Sequence, residues 1–166
     1  MSTPVQRRPS RTQRSGDALV RALLRSPLHR LLSGRLLIIT VTGRKTGRRY
    51  TLPVGYVEHD GALLIGTAGT WRRNLRPGEP VDIRFRGHDR QAEADVVTDE
   101  EEAADLYRVI LRGNPVHGRF AGIGVEPDGS PDRADLRRAL AAGTAVVRLR
   151  PSARHHPPRS ARSADS

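Results

Sequence analysis

The chain contains no cysteine. That excludes a disulfide framework and a thiolate-bound metal, and it suits a cytoplasmic setting. Aromatic residues are scarce, with one Trp, three Tyr and two Phe in 166 residues. So few rings leave little from which to build the stacking platforms that bind single-stranded nucleic acid, and no nucleic-acid motif is recognisable, so no specific nucleic-acid partner is expected. No apolar run reaches the length of a membrane span and the N-terminus lacks the apolar segment of a signal peptide, which makes a soluble, cytoplasmic protein the expectation. Acidic residues are missing from Ala18 to Val57, where Arg21, Arg25, Arg30, Arg35, Arg44, Lys45, Arg48 and Arg49 are all basic. Forty residues of one sign set up a positive field that concentrates an anionic ligand, so a polyanionic cofactor or substrate is indicated.

Lysine is the rarest charge of all. There are 28 arginines and a single lysine, Lys45. The net charge is +11, and more than half of it lies in the two ends of the chain. Residues 1–15 and 151–166, rich in Pro, Ser, Arg and Thr, read as disordered basic tails, and residues 16–150 as one domain large enough to bury a core. Basic tails can attract nucleic acid or an anionic membrane surface, and they also confer solubility.

The chain is organised around residues 36–57, LLIITVTGRKTGRRYTLPVGYV. Two apolar strands flank a short loop that carries Arg44, Lys45, Arg48 and Arg49 around Gly43 and Gly47. Glycines at both ends allow the backbone close to a ligand, and successive amides in such a turn form an anion-binding concavity. Lysine is a compact, mobile point charge and arginine a planar fork, so the lone lysine here suits a tight anion site. An ordinary solvated hairpin tip has the same composition.

In order along the chain, residues 17–33 place Leu19, Leu23, Leu24, Leu28, Leu31 and Leu32 along one helical face, with a break at Pro27. This basic amphipathic helix packs on the core or, with the tails, makes peripheral contact with a membrane. Leu36–Val41 is continuous enough in apolar character for a strand covered on both sides. After the loop, Tyr50, Leu52, Val54 and Tyr56 face one way and Thr51, Pro53, Gly55 and Val57 the other; Pro53 implies an edge or bulged strand. A flat ring system fits that small second face, and so does a barrel corner. Asp60-Gly61 turns into a strand over Ala62–Thr67, followed by a short helix with Thr70 as its N-cap, a second helix-start anion site. Trp71 packs on the barrel near a loop that can line a pocket.

Val81, Ile83 and Phe85 mark a half-buried strand, Gly87-His88-Asp89 a turn, and residues 91–97 the next strand. Thr98 to Glu101 matches a capping box for a helix through about Leu111, with Ala103, Leu106, Tyr107 and Ile110 on its core side. Residues 116–130 read as an irregular glycine-rich connection. Ser130-Pro131 starts a last helix that Gly143 ends, and Ala145, Val147 and Leu149 fit a final strand. The histidines are scattered, and no metal cluster, paired carboxylate or nucleophile–base set stands out, as expected where a cofactor carries the chemistry or where there is no catalysis.

The segments SPLHRLLSGRLLIITVTGRKTGRRYTLPVGYV and GTAGTWRRNLRPGEPVDIRFRG resemble the deazaflavin (F420)-dependent nitroreductase family of actinobacteria, within the FMN-binding split-barrel superfamily. The resemblance runs from about Ser26 to Arg150. It implies a mainly β (α+β) fold, a split β-barrel of about six strands with flanking helices, and an oxidoreductase that passes a hydride between coenzyme F420 and a small-molecule electron acceptor such as a quinone, enone or nitro compound. Carried over by position, Arg44, Lys45, Thr46, Gly47 and Arg48 would bind the phosphate and polyglutamate tail. Thr51, Pro53 and Val54 would lie along the deazaflavin, and Thr67, Ala68, Trp71, Arg72, Asn74 and Leu75 would form the other wall. The superfamily also implies a homodimer. The region that supplies substrate-pocket tyrosines in the family's nitroreductases, here Val116–Asp128, has none, and His117 and Phe120 are its only rings. The alternatives are a split barrel that uses FMN or haem, and a basic module for nucleic acid or anionic membrane.

Overall fold

The computed structural model describes residues 36–152; the helix expected over residues 17–33, the N-terminal tail and the C-terminal tail beyond Ser152 lie outside the described residues. Seven strands form one antiparallel sheet: β1 (Leu36–Thr42), β2 (Arg49–Gly55), β3 (Val57–His59), β4 (Ala62–Thr67), β5 (Pro80–Phe85), β6 (His88–Val97) and β7 (Ala145–Pro151). A short 3-10 helix spans Thr70–Asn74. Three α-helices follow β6: α1 (Glu100–Gly113), α2 (Pro115–Ala121) and α3 (Arg133–Ala141).

The strand order β2-β1-β5-β6-β7-β4-β3 puts β2 and β3 at opposite edges of the sheet, although only Tyr56 separates them in the chain. Seven strands laid flat would hold their edges roughly 29 Å apart at about 4.8 Å per step. Two Cα steps reach at most about 7.6 Å. The sheet must therefore curl until its edges nearly meet, and the result is a half-barrel open along one seam. The seventh strand, absent from the sequence reading, is the three-residue β3 that this crossing cuts off.

Inside the curl, Leu37, Ile39, Val41, Val54, Tyr56, Leu63, Ile65, Val81, Ile83, Phe85, Val147 and Leu149 form the barrel core. Their i, i+2 spacing is the sheet alternation that the sequence displays in Val81, Ile83 and Phe85. A second core covers the outer face of β4, β6 and β7, where Leu64, Val97 and Val146 meet Ala103, Leu106, Tyr107, Ile110 and Leu136 from α1 and α3. Arg148, on that outer face, joins the layers by reaching Asp95 of β6 at 3.2 Å and Glu102 of α1 at 2.5 Å.

Several local expectations shift. β1 is not covered on both sides: Leu37, Ile39 and Val41 are buried while Leu36 is 37% exposed, because a curled sheet offers only its concave face to the core. Pro53 does lie on an edge strand, since β2 pairs with β1 alone. The turn before β6 is Arg86-Gly87, both at positive φ, one residue ahead of the expected position. The α1 cap is Asp99, whose carboxylate accepts from the Glu102 amide, in place of Thr98. Asp132, in place of Ser130, caps α3 through the Asp135 amide. Thr70 is not a cap, because the 3-10 helix starts from Gly69 without a side-chain bond. Finally, Pro115–Ala121 is helical where an irregular connection was expected. Asn114 ends α1 and Pro115 restarts the chain at the first helical position, where proline is tolerated.

Candidate functional site

The β1–β2 hairpin loop is a built turn whose exposed tip carries the positive charge. The Gly47 amide donates to the Gly43 carbonyl at 2.8 Å, and the Gly43 amide to that of Arg48 at 2.8 Å. Gly47 has φ +63, a backbone state that L side chains rarely adopt. The loop is docked sideways onto the end of the 3-10 helix. The Arg44 amide donates to Asn74 Oδ1 at 3.2 Å, and the Arg44 guanidinium to the Leu75 carbonyl at 3.1 Å. Thr46 Oγ1 accepts from the Arg48 amide at 3.4 Å.

This bonding narrows the anion-cradle reading. Four of the loop amides, those of Gly43, Arg44, Gly47 and Arg48, are engaged internally, which leaves the amides of Lys45 and Thr46 without a partner among the described residues. The charge divides in the same way. Arg49 is paired with Asp82 at 2.6 Å. Lys45 and Arg48 are exposed and meet no carboxylate among the described residues. The groups left for a ligand are thus a lysine, an arginine and two amides.

A cavity of about 280 Å³ lies between β2, β4, the 3-10 helix and the α1–α2 junction. It opens on the seam of the barrel. Pro53, Val54, Tyr56, Ile65, Thr67 and Trp71 line it, with Asn114 and His117 from the helical side, and no carboxylate, lysine or arginine is among its walls. Trp71 is half-buried and packs against the barrel core, with its indole over Gly69, where a Cβ would lie 2.6 Å from the ring. The Thr67 hydroxyl accepts from the Gly69 amide at 2.9 Å and fixes that turn.

The structure therefore brings Pro53, Val54, Thr67 and Trp71 into one cavity and docks Arg44 beside Asn74 and Leu75. It places the other expected residues elsewhere. Thr51 is on the opposite face of β2, its hydroxyl 3.1 Å from that of Thr40, and lines a separate groove of about 820 Å³ with Ile38, Asp82 and Arg90. The strand alternation that points Val54 inward points Thr51 and Pro53 outward, and of these two only Pro53, nearer the end of β2 that leads to Tyr56, reaches the cavity. Arg72 turns away and donates to the Gly143 carbonyl ahead of β7. Ala68 is exposed and lines none of these cavities. The groove is the larger space, but its basic walls are largely spoken for, with Arg49 on Asp82 and Arg84 on Asp89.

Tyr107 is in the core, as expected, but its contact with His117 escaped the sequence reading: the two rings stack 5.9 Å apart at 30°. Both meet β4 at Gly66, where a Cβ would overlap His117 Nε2 and lie 2.9 Å from the Tyr107 hydroxyl. Neither polar atom has a hydrogen-bond partner among the described residues. Burial pushes the Tyr107 hydroxyl above the ordinary phenol range and His117 below the ordinary imidazole value, so both are neutral at pH 7. The glycine in the strand was visible; that it made room for two rings ten residues apart was not.

Among the described residues no helix is long and apolar enough to cross a membrane, and no cluster of three His, Asp or Glu is placed to hold a metal. Comparison with known proteins gives a match to the family model described as F420H(2)-dependent quinone reductase over residues 12–122. No curated protein matches. Among solved structures, a putative 5-nitroimidazole antibiotic resistance protein from Bacteroides thetaiotaomicron is similar, with a TM-score of 0.50, 12% identity and 85% of this chain aligned to 80% of that one. An F420-H2 dependent reductase gives a TM-score of 0.47 at 14% identity, covering 70% of this chain and 94% of its own. A conserved hypothetical protein from Mycobacterium tuberculosis gives 0.47 at 14%, covering 93% and 87%.

Proposed function

The chain belongs to the F420H(2)-dependent quinone reductase family and is an F420-dependent oxidoreductase, and from that premise we propose that the seam cavity holds the deazaflavin ring for reduction of a quinone-type acceptor. One observation carries this reading. A cavity lined mainly by apolar side chains, with no charged residue in its walls, takes in Trp71 of the 3-10 helix, and the loop docked on the end of that helix holds Lys45 and Arg48 without a carboxylate partner among the described residues.

The residues fit such a cofactor. Its ring is flat, and Pro53, Val54 and Trp71 supply apolar wall against which a flat ring can lie. Its tail is anionic, and the loop from Arg44 to Arg48 presents charge and free amides outside the cavity, so neither end of the ligand meets the wrong environment. Reduced F420, when bound, supplies the hydride. The protein's part is placement. Trp71, held over Gly69, fixes one wall; the edge strand β2 supplies the other; and Arg44, anchored on Leu75 and Asn74, sets the loop against the helix that carries Trp71. Thr67, also in the cavity wall, holds the Gly69 turn under Trp71 through its hydroxyl.

The test is fluorescence-detected titration of the purified protein with F420 and, in parallel, FMN. Saturable F420 binding that weakens in Lys45→Ala supports the assignment. Binding of FMN alone would keep the barrel and reject the cofactor; binding of neither would reject the site.

A further inference from the structure

The outer face of the sheet is covered on one half only. α1 and α2 pack on β3, β4 and β7, and α3 packs on α1, while none of the three packs on β1, β2 or β5. On that other half β1 turns Leu36, Ile38 and Thr40 outward, and the strand registers set Thr51 and Pro53 beside them on β2. Leu36 is 37% exposed. The groove of about 820 Å³ runs over this surface, and its two acids, Asp82 and Asp89, are already paired with Arg49 and Arg84. Along β1 it therefore offers a partner apolar and hydroxyl surface. A sheet face of this kind is normally buried under another layer.

We propose that residues 17–33 dock on this face along β1, and that residues 1–16 are thereby carried to the β1–β2 loop, where their arginines join Lys45 and Arg48 in holding an anionic tail. The second clause rests on the cofactor reading above; the first stands without it.

The sequence of the segment calls for such a surface, because its six leucines share one helical face and need an apolar partner. The connection fixes where. Only Gly34 and Arg35 lie between Ser33 and Leu36. Three Cα steps reach at most about 11 Å, close to the roughly 10 Å between packed layers. The inside of the curl is filled and the helices hold the half over β4, so the outer side of β1 is the sheet surface left within reach.

The direction follows as well. A chain that reverses at Gly34 runs back antiparallel to β1. At about 1.5 Å per helical residue, residues 17–33 span roughly 25 Å, and β1 spans roughly 20 Å. The start of the segment then lies at the Thr42 end of the strand, beside the loop that Gly43 opens. Pro27 allows a bend where the segment follows the curl. Residues 1–16 leave from that end with Arg7, Arg8, Arg11 and Arg14 and no acid. Their charge adds to the positive field at the loop.

The chain has no cysteine, so two introduced cysteines report on each other alone. In the full chain, Leu24→Cys is combined with Thr40→Cys, which the antiparallel register sets beneath it, and in a control with Ala134→Cys, exposed on α3. A short bismaleimide should join the first pair within one chain about tenfold faster than the second, because docking raises the effective concentration. Equal rates, as from an undocked arm, overturn the proposal. A product that joins two chains also overturns it, since a second copy then covers the face. So does co-sedimentation of the wild type with phosphatidylglycerol vesicles accompanied by loss of the cross-link. Arg7→Gln, Arg8→Gln, Arg11→Gln and Arg14→Gln made together should raise the F420 Kd about threefold to tenfold and flatten its salt dependence, the effect of one or two exposed ion pairs. An unchanged Kd overturns the role given to the arm. Rapid cross-linking in a protein that binds no F420 supports the docking and overturns the cofactor reading.

Discussion

Replacing Lys45 with alanine perturbs the loop without touching the barrel. Two of the four cations there already have partners, Arg49 with Asp82 at 2.6 Å and Arg44 with the Leu75 carbonyl at 3.1 Å. A ligand tail is left with Lys45 and Arg48, both exposed. An exposed ion pair contributes about 0.2–1 kcal/mol and a charge-assisted hydrogen bond about 1.5–3, so a solvated loop tip belongs near 1 kcal/mol per cation. That corresponds to about a fivefold rise in the F420 Kd for Lys45→Ala. Adding Arg48→Ala should bring the loss to about 30-fold if the two act independently, and less if they share one anionic group. Raising ionic strength should weaken wild type more than the double variant, because screening acts on the contacts the variant lacks. Fluorescence titration at two salt concentrations reads all of this, and a thermal melt should show stability unchanged within about 0.5 kcal/mol. An unchanged Kd and an unchanged salt dependence in the double variant would remove the loop from the site.

Gly47→Ala should destabilise the protein by about 1–2 kcal/mol, because φ +63 is strained for any residue with a Cβ, and it should weaken F420 binding along with the displaced tip; chemical denaturation and titration measure the two effects separately. Leu149→Ala, fully buried on β7 inside the curl, should cost about 2–5 kcal/mol by denaturant unfolding, and a loss under 1 would mean that the interior can collapse around the gap. Burial lowers the folded pKa of His117 below 6.5, so the unfolded chain takes up its proton first. The stability due to the neutral ring is present above pH 6.5 and is lost as pH falls through the folded value. Unfolding free energy measured between pH 7.5 and 5 should decline in wild type and decline less in His117→Leu; parallel profiles would contradict the burial of that ring.

Strands were legible wherever one face is buried, because the alternation at Val81, Ile83 and Phe85 is written in consecutive residues. So was the turn at Asp60-Gly61, whose positive φ values suit those residue types. The caps slipped by a residue or two, from Thr98 to Asp99 and from Ser130 to Asp132, because neighbouring Thr, Ser and Asp compete for the same role and the packing of the helix decides between them. The break of one long strand into β2 and β3 had no local signal, since closure of the whole sheet imposes it. At the site, the loop's charge could be read directly, but which cations remain free could not, because Asp82 and Leu75 lie about thirty residues away. The stacking of Tyr107 and His117 depends on α2 folding back over Gly66, and Gly118 and Gly122 had made that segment look irregular.

The seam between β2 and β3 bears on how the protein treats acceptors of different size. Everywhere else around the curl, moving neighbouring strands apart breaks ladder hydrogen bonds. Across the seam the two edge strands make none with each other, so the gap can breathe at the expense of side-chain contacts alone. The cavity lies on this line, with Tyr56 as the single pivot residue joining its two banks. On the cofactor reading proposed above, opening the banks about that pivot would admit a wider ring while the six bonded strand pairs stay in register, and tolerance of varied acceptors would then belong to the topology of the sheet.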